Sequence, residues 1–405
     1  MLLNLKAQCP TKWQNMKVAI VHYWFVGMRG GEKVIESLCK LYPQADIFTH
    51  VYQPDATSSI IKRHRITTSF ISKFPKPARF YKSYLPLMPM ALEQLDLRGY
   101  DLVISSESGP SKGIIPPPDS VHICYCHSPM RYVWNMFHDY RDRSNFLTKL
   151  FMPLISHYIR NWDVVSATRV HNFIVNSANV GKRVSTYYRR ESEVIYPPVE
   201  TSAFEIVDDT EISDSYLMVG ELVAYKRPDL AIEAFNQTGK KLIIIGGGEM
   251  LKQLKVMAKP NIIFLGSQPF EQLKYHYSRC KALIFPGEED FGIVPVEAMA
   301  SGRPVVAYGK GGALETVIDG RTGVFFKTQS VEAIIDAVNR LEGIQTDPNV
   351  ISAHAAKFDE AVFMNKMKKF VDKCLIEGGK LEQPSPENLY IQDKKAFPVL
   401  AAVHS

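Results

Sequence analysis

Residues 281–306 read KALIFPGEEDFGIVPVEAMASGRPVV, and this stretch decides the fold of the second half of the chain. The apolar run 282–285 stops at a Pro-Gly turn, as a buried strand does. After an acidic loop, apolar residues at helical spacing predict a helix that has Pro295 at its first position and ends before Pro304. Residues 304–307 are a second apolar run. The order strand, loop, helix, strand is typical of a parallel α/β sheet.

The loop that enters this helix predicts a site for an anion. Unpaired N–H groups and the positive end of the helix dipole point from a helix N-terminus into the crevice above a parallel sheet. Glu289 and Glu297 would flank that anion and could accept hydrogen bonds from hydroxyl groups. A phosphate between hydroxyl-bearing sugars is the shape of a nucleotide sugar. The alternative interpretation is a helix-start signature beside a solvated acidic loop.

Glu289 and Glu297, with seven residues between them that include Phe291-Gly292, resemble the paired-glutamate motif of retaining glycosyltransferases of family four. The resemblance covers residues 16–373. It implies the α/β fold called GT-B, in which two Rossmann-like, doubly wound domains face a central crevice. It also implies that Glu289 binds sugar hydroxyls and that Glu297 binds the ribose. The donor-binding residues predicted in this way are Gly30, Gly31, Lys226, Arg227, Gly246, Phe291, Gly292, Ile293, Val294 and Glu297.

Length and composition agree with two domains. The chain has 405 residues, of which 46% are hydrophobic and 22% charged, so it is neither disordered nor built on one typical core. No apolar run approaches the ~18–20 residues that span a bilayer. The N-terminal apolar segment is too short for a signal peptide, and six cysteines lack disulfide-framework spacing. We therefore expect a cytoplasmic protein and leave contact with the inner face of the membrane open.

Proline-rich residues 196–199 mark the expected hinge between the domains. We predict an N-terminal extension (1–15), an acceptor-side domain (16–197), a nucleotide-sugar domain (198–375) and a mobile tail (376–405). A helix that starts near Asp359 is expected to pack across the domains.

A second glycine loop, residues 27–32, follows the first predicted strand and opens a helix. It therefore predicts a second anion site, although a tight turn explains the same glycines. The three-glycine spacing of the dinucleotide fingerprint is missing. In the family, the matching Gly30-Gly31 pair faces the donor diphosphate and the acceptor.

Residues 127–134 read HSPMRYVW and follow a predicted strand at 122–126. Residues at the carboxyl end of such a strand line the crevice, although a lone histidine is more often structural. The segment is similar to the His-x-Pro-x-Arg-Tyr-x-Trp stretch of the family, whose histidine lies beside the transferred sugar. The resemblance implies that His127 is catalytic with Glu289, and we assign Arg131 to the acceptor side.

Residues 220–226 read GELVAYK, where the family has an arginine directly after the glycine and a lysine five residues further on. Both residues bind the diphosphate in the family. Lys226 matches the lysine, but Glu221 stands in place of the arginine, which puts half of this clamp in doubt. The glycine turn 246–248 lies where the family seats its nucleotide base.

Between Asp55 and Glu93 the chain has seven basic residues and no acidic one. Basic side chains among aromatic ones suit an anionic membrane surface or a lipid-diphosphate acceptor. A solvated face and a nucleic-acid surface are the alternatives, and the net charge of +6 with no nucleic-acid motif disfavours the latter. The residues assigned to an acceptor or membrane surface are Arg63, Arg65, Lys73, Lys76, Arg79 and Lys82, grouped with Arg131.

Together with these features, the resemblance implies transfer of a sugar from a nucleotide sugar to a saccharide or lipid-linked acceptor, with retention of configuration. Because no Asp-x-Asp pair occurs and the Cys-Tyr-Cys-His run 124–127 has no second ligand pair, we expect neither a metal nor a cofactor. The resemblance to mannosyltransferases of bacterial surface-polysaccharide assembly favours GDP-mannose over UDP-sugars. A non-catalytic nucleotide-sugar-binding protein and a nucleotide-dependent oxidoreductase or epimerase are the rival functions.

Overall fold

The computed structural model describes residues 15–381 and contains two sheets in which every strand pair is parallel. The first sheet contains β1 (Val18–His22), β2 (Asp46–Thr49), β3 (Ile66–Thr68), β4 (Leu102–Glu107), β5 (Val121–Cys126), β6 (Asn172–Val175) and β7 (Ser192–Val194). The second contains β8 (Ser215–Val219), β9 (Lys241–Ile245), β10 (Ile262–Gly266), β11 (Leu283–Phe285), β12 (Val305–Tyr308) and β13 (Gly323–Phe326). The predicted α/β fold of two Rossmann-like domains is confirmed.

Helices connect the strands within each sheet. Those of the first half are α1 (Gly30–Leu41), α2 (Pro77–Phe80), α3 (Met88–Glu93), α4 (Phe137–Arg143), α5 (Phe146–Ala167) and α6 (Ala178–Tyr188). Those of the second half are α7 (Pro228–Thr238), α8 (Leu251–Met257), α9 (Phe270–Arg279), α10 (Ile293–Ala300), α11 (Ala313–Thr316), α12 (Val331–Glu342), α13 (Pro348–Ala355) and α14 (Glu360–Glu377).

Both faces of each sheet are buried. In β1, Ile20 packs in a cluster with Leu38 of α1, whereas its neighbour Val21 packs on the opposite face with Leu92 of α3. Successive strand residues point to opposite faces, so helices must cover both. The second sheet is likewise enclosed by two separate apolar clusters.

The order of the strands fixes where a ligand can bind. The first sheet runs β3-β2-β1-β4-β5-β6-β7 and the second runs β10-β9-β8-β11-β12-β13. The connections change direction between β1 and β4 in the first sheet and between β8 and β11 in the second. Ligands of open α/β sheets bind at the carboxyl ends of the strands at such switch points.

The helix predicted to begin at Pro295 begins two residues earlier, at Ile293. Gly292 precedes it in the left-handed region, with φ of 85°, a conformation that glycine adopts without strain. Pro295 therefore occupies the third helical position. Proline is tolerated there because the first four N–H groups of a helix lack intrahelical partners in any case.

The final helix, α14, returns to the first domain. Phe363 and Met367 lie in the core of the first sheet, and Lys40 Nζ of α1 donates to both carboxylate oxygens of Glu360 at 2.6 and 2.8 Å. The predicted boundaries of the nucleotide-sugar domain, 198–375, included α14 in the second domain. Its apolar face instead completes the first core, in agreement with the expected packing across domains. The predicted extension 1–15 and tail 376–405 lie outside the described residues except for residues 15 and 376–381.

A buried ionic cluster holds the loop after β4 against α5. Lys112, Glu107 and Asp163 are each 0% exposed, and the ammonium group of Lys112 contacts both carboxylates. Asp163 also accepts hydrogen bonds from Trp134 Nε1 at 2.7 Å and from Tyr188 Oη at 2.8 Å. Burial alone would lower the pKa of Lys112, but the two carboxylates raise it above its ordinary value, so the lysine is charged.

Replacing Lys112 with methionine is expected to destabilise the first domain by about 3–5 kcal/mol, because two buried carboxylates lose their counter-ion. Urea unfolding followed by tryptophan fluorescence measures this effect, since all four tryptophans precede residue 163. The matched control is Lys182→Met on the exposed side of α6, for which we expect a change within about 0.5 kcal/mol. Equal stability of the two variants would contradict the assignment.

Candidate active site

The crevice between the two sheets holds a cavity of about 450 Å³ that both domains line. This volume is within the range of pockets for small-molecule ligands. Ten residues that the sequence analysis singled out line it: Gly30, Gly31, His127, Arg131, Lys226, Glu289, Phe291, Gly292, Ile293 and Val294. Residues on the cavity wall that the sequence analysis did not assign include Tyr23, Ser108, Tyr132, Tyr140, Asn176, Tyr225 and Asp290.

The N-termini of α1 and α10 meet in this cavity. A Cβ atom on Gly30 would lie 2.8 Å from Cδ1 of Ile293, and a Cβ on Gly31 would lie 2.4 Å from Tyr23 Oη. Larger residues therefore do not fit without displacing their neighbours. The two glycines let the backbone of one domain approach the other, so free N–H groups of two helices are available to one anion.

Lys226 and Glu289 form an ion pair on the wall of the cavity, with Nζ 2.8 Å from Oε1 and side chains 16% and 20% exposed. Gly287 allows this arrangement, because a Cβ at that position would lie 2.6 Å from the Cα of Lys226. Burial lowers the pKa of Lys226, but Glu289 outweighs that effect and the net pKa is raised. The ammonium group is therefore charged and close to the helix N-terminus.

His127 directly follows β5 and borders the same cavity. Its Nε2 is 2.8 Å from Ser106 Oγ at the end of β4. Burial, with a smaller contribution from His22, lowers the pKa of His127 to about 3. The imidazole is therefore neutral near pH 7, and it can exchange hydrogen bonds but does not supply a positive charge.

Behind His127, side chains on adjacent strands form a chain of polar contacts. His22 is the register partner of Ser106, and its Nδ1 is 3.1 Å from Ser106 Oγ. On its other side, His22 Nε2 lies 3.7 Å from Oε1 of Glu32. Glu32 also accepts a hydrogen bond of 3.0 Å from the backbone N–H of Arg29, so the chain joins the glycine loop to His127.

The chemistry of these groups sets the direction of the hydrogen bonds when His22 is neutral. We assign the proton of neutral His22 to Nε2, because a bare nitrogen lone pair would otherwise face the Glu32 carboxylate 3.7 Å away. Its Nδ1 then accepts from the Ser106 hydroxyl, and Ser106 accepts from Nε2–H of His127. His127 therefore keeps an unprotonated Nδ1 as a hydrogen-bond acceptor. Sequence reasoning missed this chain because its members are distant in sequence and meet only through strand pairing.

Asp290 is a further residue that the sequence analysis left unassigned. Its carboxylate contacts the guanidinium group of Arg183 from α6 and lies 3.6 Å from Arg131 NH1. Arg131 also lies over the ring of Tyr225, 5.5 Å from its centroid. Arg131 thus belongs to the crevice and is separate from the basic segment with which it was grouped. The run of three consecutive acids at 288–290 was the feature of the sequence that could have indicated a role for Asp290.

Three predicted donor-binding residues do not line the main cavity. Arg227 is the N-cap of α7 and pairs with Asp229 at 2.8–3.2 Å. Gly246 packs on the backbone of Gly220, where a Cβ would lie 1.9 Å from the carbonyl oxygen. Glu297 lines a smaller adjoining cavity of about 70 Å³, which shares Ile293 with the main one.

Glu297 is held by Tyr277, whose hydroxyl donates to its Oε2 at 2.7 Å. Burial raises the pKa of Glu297, and the Tyr277 bond opposes this shift only in part. The basic residues from Arg63 to Lys82 that were assigned to an acceptor or membrane surface are exposed and lie outside both cavities.

Glu221, which stands where the resemblance expects an arginine, faces an arginine across the crevice. Arg29 NH1 lies 3.4 Å from Glu221 Oε2, and the side chains are 68% and 46% exposed. Arg29 directly precedes Gly30 and Gly31 in the glycine loop 27–32. A positive charge is therefore present at this end of the site, although it is attached to the opposite domain and is paired with a carboxylate.

Two general features of residues 15–381 bear on the function. This part of the chain contains no group of three or more His, Cys, Asp or Glu side chains suited to holding a metal ion. None of its helices is both long and apolar enough to cross a bilayer.

Several solved structures share this architecture. Sucrose-phosphate synthase from Thermosynechococcus elongatus superposes with a TM-score of 0.67 at 16% identity, over 90% of this chain and 100% of that one. HepE from Anabaena, solved with UDP and glucose, gives 0.65 at 16% identity, over 88% and 100%. WaaG, a glycosyltransferase involved in lipopolysaccharide biosynthesis, gives 0.59 at 14% identity, over 87% and 99%. The fold is therefore that of the GT-B glycosyltransferases.

Matches to two sequence families identify the family of the chain, whereas the solved structures identify only its fold. Residues 28–203 match the family described as Glycosyltransferase Family 4, and residues 205–358 match the family described as Glycosyl transferases group 1. The chain belongs to the family-4-like glycosyltransferases of the GT-B fold.

Curated relatives match over parts of their length. An alpha-1,3/1,6-mannosyltransferase of Dictyostelium discoideum is 26% identical over 266 residues, which are 54% of this chain and 60% of that protein. A GDP-mannose-dependent alpha-(1-6)-phosphatidylinositol monomannoside mannosyltransferase of Mycolicibacterium smegmatis is 35% identical over 141 residues, 30% of this chain and 37% of that protein. The chain thus spans from about a third to three fifths of these relatives.

The polar chain behind His127 predicts that Ser106→Ala lowers kcat about tenfold, because His127 loses the partner that fixes its protonated nitrogen. Initial rates against donor concentration measure the effect. Ser105→Ala is the matched control, since Ser105 Oγ is 2.9 Å from His122 Nε2 in a fully buried pair on the same strand, outside the cavity. We expect both variants to lose similar stability and only Ser106→Ala to lose turnover. Equal turnover of the two variants would show that the chain has only a structural role.

Proposed function

We propose that the chain transfers mannose from GDP-mannose to a saccharide or lipid-linked acceptor, with retention, in the synthesis of a cell-surface polysaccharide such as lipopolysaccharide. The observation that carries this proposal is the Lys226–Glu289 pair in one cavity with His127 and two glycine-led helix N-termini. The mannosyltransferase relatives support the sugar, and the GDP-mannose dependence of the Mycolicibacterium smegmatis relative supports the nucleotide. A UDP-sugar is the alternative donor, and HepE, solved with UDP, supports it.

The cavity suggests how a nucleotide sugar would bind. The diphosphate would lie at the N-terminus of α10, where the free N–H groups of Ile293 and Val294 and the Lys226 ammonium group neutralise it. Lys226 would exchange its bond with Glu289 for bonds to phosphate. Glu289 would then accept hydrogen bonds from sugar hydroxyls, Glu297 would hold the ribose in the adjoining cavity, and Nδ1 of His127 would accept from another sugar hydroxyl.

In the proposed transfer, the bond between the anomeric carbon and the phosphate oxygen breaks while the acceptor hydroxyl attacks from the same face. The proton of that hydroxyl passes to the departing phosphate oxygen, so no protein carboxylate attacks carbon. Catalysis then depends on orientation and on stabilising the leaving diphosphate. Since protein groups supply the positive charge, we propose that activity persists in the presence of EDTA and needs no added cofactor.

The first test is the melting temperature of the protein with GDP, UDP, ADP and their mannose or glucose conjugates. A ligand at 100 times its Kd stabilises the folded state by about 2.7 kcal/mol, so we expect a clear upward shift with GDP and GDP-mannose. Lys226→Ala should remove most of this shift and lower kcat/KM on the order of tenfold to a hundredfold, the effect of losing about 1.5–3 kcal/mol from a charged hydrogen bond.

Arg227→Gln is the control for this experiment, because Arg227 pairs with Asp229 outside the cavity. Its melting shift should equal that of the wild type. A shift with UDP alone would transfer the proposal to the UDP-sugar donor, and no shift with any nucleotide would exclude the donor site.

A non-catalytic nucleotide-sugar-binding protein is the second candidate, and Glu221 is the observation that favours it. If the chain is an active enzyme, Glu221→Arg should tighten donor binding on the order of tenfold, because it adds a cation and frees Arg29 from its partner. Titration with GDP-mannose measures binding, and release of GDP without acceptor measures the residual hydrolysis of the donor. Tight binding with no release of GDP, with or without acceptor, would identify the non-catalytic protein.

A further inference from the structure

The first turn of α6, in the first domain, is capped by a carboxylate of the second domain. The backbone N–H of Ala178 donates to Oε2 of Glu315 at 2.8 Å, and that of Asn179 donates to Oε1 at 3.1 Å. Ser177 Oγ accepts from the N–H of Val180 at 3.2 Å and so caps the same turn from within the first domain. A carboxylate is the group that the positive end of a helix dipole favours. The helix α6 thus has one cap from its own domain and one from the other.

The short helix α11, which carries Glu315, is fixed to the loop of Glu289. The N–H of Gly312 at the start of α11 donates to the backbone carbonyl of Glu289 at 2.9 Å. A Cβ atom on Gly312 would lie 2.3 Å from the Cα of Phe291, and one on Gly311 would lie 2.4 Å from the carbonyl oxygen of Glu289. Because the two backbones are in direct contact, α11 cannot shift without this loop. A bond made by Glu315 therefore also restrains the loop that lines the main cavity.

The same loop holds α6 at a second point. The carboxylate of Asp290 contacts the guanidinium group of Arg183, which lies more than one turn beyond the start of α6. Arg183 NH1 also donates to Ser128 Oγ at 3.0 Å, and Ser128 directly follows His127. The second domain therefore holds α6 at two places, and one of them is connected to the neighbour of His127.

The bonds to Glu315 exist only when the two domains are together. A cap inside one domain stays paired whenever that domain is folded, whereas Ala178 and Asn179 lose Glu315 as soon as the crevice widens. Hydrogen bonds to charged groups are among the stronger ones in proteins. Glu315 therefore stabilises the closed arrangement relative to an open one, and the Ser177 cap remains to support α6 in both. Closure of this kind completes a site whose groups come from two domains.

We propose that Glu315 is a positioning residue that holds the crevice closed. By binding the first turn of α6, its carboxylate keeps the loop of Glu289 against the domain of His127 and fixes the distance between these two side chains. Glu315 lines neither of the two cavities of the site, so it acts through the domains that it joins. The inference rests on the proposed function for the reaction that is measured, but the contact itself does not depend on the donor.

The test compares Glu315→Ala with Asp347→Ala in the full chain. Asp347 is the matched control, because it is a carboxylate N-cap in the second domain that accepts from the N–H of Asn349 at 2.8 Å within that domain. Small-angle X-ray scattering without nucleotide should give a larger radius of gyration for Glu315→Ala than for the wild type, and no change for Asp347→Ala. With GDP-mannose, we expect kcat for the release of GDP to fall on the order of tenfold for Glu315→Ala alone.

Glu315→Gln supplies a graded comparison. Its amide oxygen still accepts one hydrogen bond but carries no charge, so its kcat should lie between those of the wild type and Glu315→Ala. The same variant decides the question if the alanine variant does not fold. A cap with only a structural role would lower the melting temperature of Glu315→Ala and Asp347→Ala alike and leave the radius of gyration and kcat at wild-type values. That result would overturn the proposal.

The melting shift with GDP separates this inference from the proposed function. Lys226 and the N-terminus of α10, which are assigned to the diphosphate, both belong to the second domain, so Glu315→Ala should keep most of the shift. A preserved shift with unchanged radius of gyration and kcat removes only the closing role of Glu315. If no nucleotide shifts the wild type, the proposed function fails, and the radii of gyration alone decide whether Glu315 closes the crevice.

Discussion

The site depends on the close approach of two helix N-termini from different domains. Gly30 leaves only enough space for the side chain of Ile293, and Gly292 takes a left-handed conformation that begins the facing helix. A side chain at Gly30 would push the domains apart, and one at Gly292 would strain the turn. Because both helix dipoles point into one cavity, these glycines create a concentrated positive potential without using a basic residue.

The charged side chains of the crevice form ion pairs with one another. Lys226 pairs with Glu289, Arg131 and Arg183 contact Asp290, and Arg29 contacts Glu221 across the domains. An arriving diphosphate would compete with carboxylates for these cations, so part of its binding free energy would be spent on breaking ion pairs. The released carboxylates would then be free to accept hydrogen bonds from sugar hydroxyls, which couples recognition of the two parts of a donor.

The sequence was informative wherever local pattern determines structure. The Pro-Gly turn after 282–285 and the apolar runs around it predicted the second sheet, and strand-end positions placed His127 and Glu289 at the crevice. It was uninformative wherever function depends on pairing between distant segments. Ser106 reaches His127 only because β4 pairs with β5 in a particular register.

The residues of the site and of the exposed surfaces are divided between the two domains. The first domain carries His127, the basic segment and the exposed apolar side chains of α5, while the second carries Lys226, Glu289 and Glu297. The chain crosses between the domains twice, because α14 returns to pack on the first domain after the second domain is complete. Two short crossings restrict the relative motion of the domains more than one crossing would.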